Sequence, residues 1–106
     1  MKIRLDSKKI RIRLSKDELL NLENSTAIKE SFEFPNNSKL SFQIEQKQTE
    51  EDIIFIHDNN SYSFYISKKV VAFLKENPKS KKGYPFKYNK HDGNNGLISI
   101  EVDFIS

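Results

Sequence analysis

The stretch that most limits what this chain can become is Lys9 to Glu18, KIRIRLSKDE, where strict alternation runs directly into a helix start. Ile10, Ile12 and Leu14 fall on one face of a strand and Lys9, Arg11 and Arg13 on the other, because successive strand side chains point to opposite sides. Ser15 stands three residues before Glu18, the spacing at which a hydroxyl and a carboxylate satisfy orphan amides of a first helical turn. The same pattern returns at mid-chain, where Tyr62, Phe64 and Ile66 alternate up to Ser67, which opens a second helical pattern.

Around these junctions the chain reads as hairpins. Lys2 to Asp6 and Lys9 to Leu14 form the first, and burial selects the register that sets Leu5 opposite Ile10 and Ile3 opposite Ile12. Arg4 then lies opposite Arg11, and Lys2 opposite Arg13, so all three arginines share one face of one hairpin. Directly opposed like charges destabilise a sheet unless something anionic sits between them. Lys16 to Glu23 is a helix with Leu19, Leu20 and Leu22 available to cover the apolar face. A second hairpin sets Phe32 and Phe34 against Phe42 and Leu40 across Pro35 to Ser38, with Lys29 facing Glu45.

Gln46 to Asp52 carries no apolar residue and reads as a loop. Ile53 to His57 and Ser61 to Ile66 make a third hairpin around Asn59 and Asn60, and the first of these strands is apolar on both faces. That composition predicts a central position or a second buried surface. Lys68 to Glu76 is a helix with Val70, Phe73 and Leu74 on one stripe. After the basic connector Lys79 to Gly83, a last hairpin joins Tyr84, Phe86 and Tyr88 to Ile98, Ile100 and Val102, with Lys87 close to Glu101.

The order strand, strand, helix, strand, strand is thus given twice. Matching Ser15 with Ser67 aligns the second strands, and the final strands align Leu40, Phe42 and Ile44 with Ile98, Ile100 and Val102. The expected fold is mainly β (α+β), a single domain over residues 1–106 with an internal repeat of 1–46 and 53–106. Eight antiparallel strands, as a duplicated strand-strand-helix-strand-strand unit with two short helices, are expected to form a strongly curved sheet or a closed barrel.

Composition narrows the chemistry. The chain has no cysteine, which removes disulfides and thiolate metal sites and fits a reducing compartment. MKIRLDSKK has no apolar run, so no signal peptide is expected, and no stretch approaches the roughly 20 apolar residues that span a bilayer. The expected location is the cytoplasm. The net charge is only +3, but six basic residues against one acid lie between Lys2 and Arg13, and eight lysines against two acids between Lys68 and Asp92. Such asymmetry steers anionic partners.

One constellation on the polar face carries a hypothesis. If the last strand neighbours the first, Glu101 and Asp103 come alongside Lys2, Arg4, Arg11 and Arg13, with Lys87 and Tyr65 as further candidates. Clustered cations hold a phosphorylated ligand, since arginine offers forked hydrogen bonds, and Glu101 with Asp103 could bind a divalent ion such as magnesium. The plainer reading is a solvated sheet face cross-linked by ion pairs, each contributing about 0 to 1 kcal/mol. His57 has no serine, cysteine or carboxylate dyad in sequence and reads as a strand-end residue. His91 to Gly96 lacks the alternating carboxylates of a calcium loop and reads as a turn. The lysine-rich connector with Tyr84, Phe86 and Tyr88 behind it could hold nucleic acid loosely, but these aromatics alternate in phase with the core. Nothing resembles a base-reading helix, which argues against sequence-specific binding.

The opening MKIRLDSKKIRIRLSKDEL and the later FEFPNNSKLSF resemble an uncharacterised bacterial family, a domain of unknown function whose members begin MKIR with a second strand of the IRLRL type. That resemblance implies no activity and no functional residues. A more distant architectural similarity is to the triphosphate tunnel (CYTH-like) proteins, whose duplicated halves enclose a channel lined by arginine, lysine and glutamate. Their Glu-x-Glu-x-Lys motif is missing, and only Glu101 and Asp103 in SIEVDF are similar to it. The leading functional expectation is a small, non-enzymatic cytoplasmic binding or interaction protein without cofactor, its partner a phosphorylated small molecule or an acidic protein. The alternative is an anion- or polyphosphate-binding barrel, a phosphohydrolase of the tunnel type using magnesium.

Overall fold

The computed structural model describes residues 1–77, 83–89 and 95–103, without the side chains of Asn89, Asn95 and Asp103. The basic connector 79–82 and most of the His91 to Gly96 turn lie outside the described residues. The elements run β1 (Lys2–Leu5), β2 (Lys9–Ser15), α1 (Lys16–Glu23), β3 (Ile28–Glu33), β4 (Lys39–Gln46), β5 (Ile53–Asp58), β6 (Ser61–Ile66), α2 (Lys68–Glu76), β7 (Tyr84–Asn89) and β8 (Asn95–Asp103).

Both helices begin where the sequence places them. The Ser15 side chain accepts from Glu18 N–H while Glu18 accepts from Ser15 N–H, a complete capping box. Ser67 caps α2 by accepting from Val70 N–H, and Asn77 closes its other end. The Glu18 carboxylate also takes the Met1 ammonium group. Burial opposes ionisation of Glu18, but that ammonium group and the hydrogen bonds from Ser15 outweigh it and hold the carboxyl below its ordinary value.

The expected single curved sheet or closed barrel of antiparallel strands is not what forms. The strands make two four-stranded sheets, ordered β1-β2-β8-β7 and β3-β4-β6-β5. Each hairpin is antiparallel, but the hairpins join through parallel central pairs, β2 with β8 and β4 with β6. Alternation assigns each residue to a face and is indifferent to the direction of the neighbouring strand. Direction is decided instead by the helices: α1 carries the chain out of the first sheet into β3, and α2 carries it back from β6 to β7. Each sheet therefore keeps two free edges, and no ladder among the described residues closes one sheet onto the other.

The result is a duplicated two-sheet arrangement in which each sheet takes one hairpin from each side of the chain's midpoint. Ile12 pairs with Ile100 in the first sheet and Phe64 with Ile44 in the second. Equivalent ladder positions thus match Ile44 with Ile100, two residues away from the expected alignment with Val102. Ile12, Leu14 and Ile100 of the first sheet, Ile44, Phe64 and Ile66 of the second, and Leu19, Leu22, Val70 and Leu74 of the helices form one continuous buried cluster.

The first hairpin has the expected register, Leu5 with Ile10 and Arg4 with Arg11. The second is shifted by two: Phe32 pairs with Leu40 and Lys29 with Gln43, not Glu45. The cause is its turn, which closes from Phe34 N–H to the Ser38 carbonyl at 2.8 Å around Asn37 at φ 69°. With a left-handed residue there the loop closes at Ser38 in place of Leu40, two residues shorter on its C-terminal side than the apolar pattern suggests. Strand β5 lies at an edge and not at the centre of its sheet.

Candidate functional site

The arginine face is built on the first sheet. Glu101 of β8 pairs in register with Arg13 of β2, and Arg13 in turn with Lys2 of β1. One step along, Ser99, Arg11 and Arg4 make the neighbouring row. The parallel join thus brings Glu101 alongside Lys2, Arg4, Arg11 and Arg13, though β8 reaches them through β2 and does not neighbour the first strand as expected. Together with Ile3 these five line a cleft of about 190 Å³. An adjoining hollow of about 210 Å³ is lined by Arg4, Asp6, Lys9 and Arg11.

Glu101 is the anchor of the site. Arg11 Nη2 donates to its Oε1 at 2.9 Å and to Oε2 at 3.3 Å, and Arg13 Nη2 stands 3.5 Å from Oε2. Although it lies on the outward side of the sheet, Glu101 is only 8% exposed. Gly83 explains much of that burial. It sits at φ +62°, and a β-carbon there would stand 2.6 Å from Glu101 Cγ and collide with the Ile100 carbonyl oxygen. Backbone therefore lies directly against the carboxylate's stem, a contact with no signal in the sequence beyond the glycine itself.

The charges around the cleft do not balance. One carboxylate faces two guanidinium groups, and no carboxylate among the described residues lies within ion-pair reach of Lys2 or Arg4. Such an arrangement can receive a further anion, with Arg11 and Arg13 held in place by Glu101 and Arg4 and Lys2 at the rim. It is less suited to a metal, since guanidinium groups already occupy both Glu101 oxygens. Among the described residues no group of three or more histidine, aspartate or glutamate side chains comes together.

The other candidates lie apart. Lys87 pairs with Leu97, so it stands about 13 Å along β8 from Glu101 at about 3.3 Å per residue. Asp103 pairs across to Ser15, and its side chain is outside the described residues. Tyr65 belongs to the second sheet, where Lys47 Nζ sits 4.2 Å over its ring. His57 stacks on Tyr62 at 4.6 Å, with its ring Nε2 at 2.5 Å from the Asn59 carbonyl oxygen. Tyr84, Phe86 and Tyr88 pack against the core cluster.

Two features escape the sequence reading. Tyr84 donates to Asp52, whose carbonyl oxygen also accepts from Ser67 N–H, so one residue links β7 to the start of α2. A second, apolar cleft of about 280 Å³ opens between β1 and β3–β4, lined by Ile3, Leu5, Phe32, Leu40 and Phe42 among others. The apolar alternation of these strands is the signal that could have found it.

Comparison with curated proteins and with solved structures returned no match. A family of unknown function (DUF7009) matches residues 1–106, and the chain belongs to that family.

Proposed function

We propose that this chain is a small, non-enzymatic binding protein of the cytoplasm whose site is the arginine cleft of the first sheet and whose ligand is an anion. The ligand chemistry is a phosphate group on a small molecule or the carboxylates of an acidic protein. One observation carries the reading: four cations line the cleft around a single carboxylate. Glu101 absorbs part of the repulsion between Arg11 and Arg13, and the excess positive charge of Lys2 and Arg4 supplies the attraction. The tunnel alternative needed side chains converging inside a closed channel. That channel does not form, and the cleft lies on the outer face of an open sheet.

The test is thermal unfolding with and without millimolar tripolyphosphate, inorganic phosphate and an acidic peptide. A ligand held only by the folded state at 100 times its dissociation constant adds about 2.7 kcal/mol, a shift of several degrees for a domain of this size. Arg4→Ala is the decisive variant, because it removes a cation that holds no described carboxylate and so leaves the sheet's ion pairs intact. The shift should shrink in Arg4→Ala and fade with added salt. Equal shifts in wild type and Arg4→Ala, or none from any anion, would sink the reading.

A further inference from the structure

The four sheet edges are not alike. In the second sheet Ser41 N–H donates to the Asn60 carbonyl and Lys47 N–H to the Ile66 carbonyl. Even-numbered residues of β6 therefore turn their backbone groups to β4, and odd-numbered ones turn to β5. Ile54, Ile56 and Asp58 pair with those odd residues. Ile53, Phe55 and His57 consequently point their N–H and C=O groups out of the sheet. The same reasoning from Leu97 N–H to the Lys8 carbonyl turns Ile3 and Leu5 outward on β1, and Pro85 and Lys87 on β7.

Three of the edges carry devices that discourage pairing. β1 is only four residues long, and two of the four are the cations Lys2 and Arg4. β3 turns Lys29 and Glu33 outward and places Glu30 on its inner face. β7 turns Pro85 outward, which has no N–H to offer. Such charges and prolines are how sheets avoid joining edge to edge. β5 has neither over Ile53, Ile54, Phe55 and Ile56, and it leaves Phe55 and Ile56 48% and 50% exposed.

We propose that β5 is a self-association edge, which pairs antiparallel with β5 of a second copy about a two-fold axis at Phe55. The strand's own sequence specifies the register. Phe55 falls opposite Phe55 of the second copy, Ile54 opposite Ile56 of the second copy, and Ile53 opposite His57 of the second copy. The residues that face one another in bonded pairs are the three whose backbone groups already point outward, giving about six hydrogen bonds. Over these five positions no like charges meet, and Asp58, the last residue of β5, falls opposite Asp52 of the second copy only at the two ends of the join, whereas β1 laid on another β1 would set Lys2 and Arg4 against each other beside its centre. Phe55 is already held by its own subunit, 5.1 Å from Phe64 and stacked at 6.1 Å on Tyr62, so little freedom is lost on joining. The join would make the two four-stranded second sheets continuous. It also gives the apolar β5 the neighbour that its composition asks for.

A one-strand join is smaller than the roughly 800 Å² per partner of a standard interface, so the dimer should be concentration-dependent. Sedimentation velocity of the full chain from micromolar to near-millimolar concentration should show reversible doubling of mass with no larger series. Residue-resolved hydrogen exchange should show the amides of Phe55 and His57 slowing by about tenfold or more with concentration. The amides of Ile54 and Ile56, bonded within the sheet, should not change. Phe55→Lys, which sets two cations opposite each other on the axis, and Phe55→Pro, which deletes the outward N–H, should remain folded and monomeric. The proposal is overturned by a single mass at every concentration, by an open-ended series, by doubling that persists in both variants, or by doubling without protection at Phe55 and His57.

Discussion

A carboxylate on the outward face of a strand is ordinarily solvated, yet Glu101 is buried because a glycine lets backbone lie against it. Gly83→Ala should therefore cost about 1 to 3 kcal/mol, from a strained left-handed backbone and from displacement of Glu101. A fall in the urea midpoint with an unchanged slope would show it. Tyr84 makes a second residue-scale prediction. Burial first, then the hydrogen bond and charge of Asp52, push its phenol up from 10.0 to about 12. A group whose folded value is raised stabilises fully below its unfolded value and loses that contribution as pH rises through the folded one. Stability should fall between pH 10 and about 12 as phenolate forms, and Tyr84→Phe should flatten that limb. Neither effect is visible in the sequence, since Gly83 reads as a connector and Tyr84 as one more core aromatic. Each depends on a residue far away in the chain.

The helix starts are the elements most fully written in sequence, and their energetics should follow the caps. Ser15→Ala and Ser67→Ala should each cost about 1 kcal/mol, measured by chemical denaturation. Glu18 adds a pH signature: its carboxyl is held below the ordinary value, so its contribution is complete above the unfolded value and lost as pH falls through the folded one. Glu18→Gln should make the acid limb of stability shallower. Hairpins were legible as elements but less so as registers. Residues Leu5 and Ile10 pair as expected because one short turn and one apolar face agree. Phe32 and Phe42 do not pair, because Asn37 in a left-handed conformation tightens the loop and overrides the apolar match. The same two-residue shift separates Lys87 from Glu101. A turn's dihedral angles are a local choice that alternation cannot encode.

At the scale of the whole molecule, both sheets and both helices share one buried cluster, so the chain should unfold in a single transition by near- and far-ultraviolet circular dichroism. Phe64→Ala, in the most buried part of the second sheet, should cost about 3 to 5 kcal/mol and lower both signals together. The arginine site belongs to this scale as well. Its cations were legible because Arg4, Arg11 and Arg13 share a hairpin, but the pairing of Arg11 with Glu101 spans nearly the whole chain. By itself the sequence determined which face each strand residue occupies, where both helices begin and which segments are hairpins. These are short-range matters, fixed by a period of two, a capping serine and a turn. Tertiary structure alone decided that non-sequential hairpins meet in parallel, that two open sheets form in place of a barrel, and that β5 is left at an edge. An alternating strand is equally satisfied by a neighbour running either way. The choice fell to the paths of α1 and α2, which carry the chain between sheets so that one core serves both.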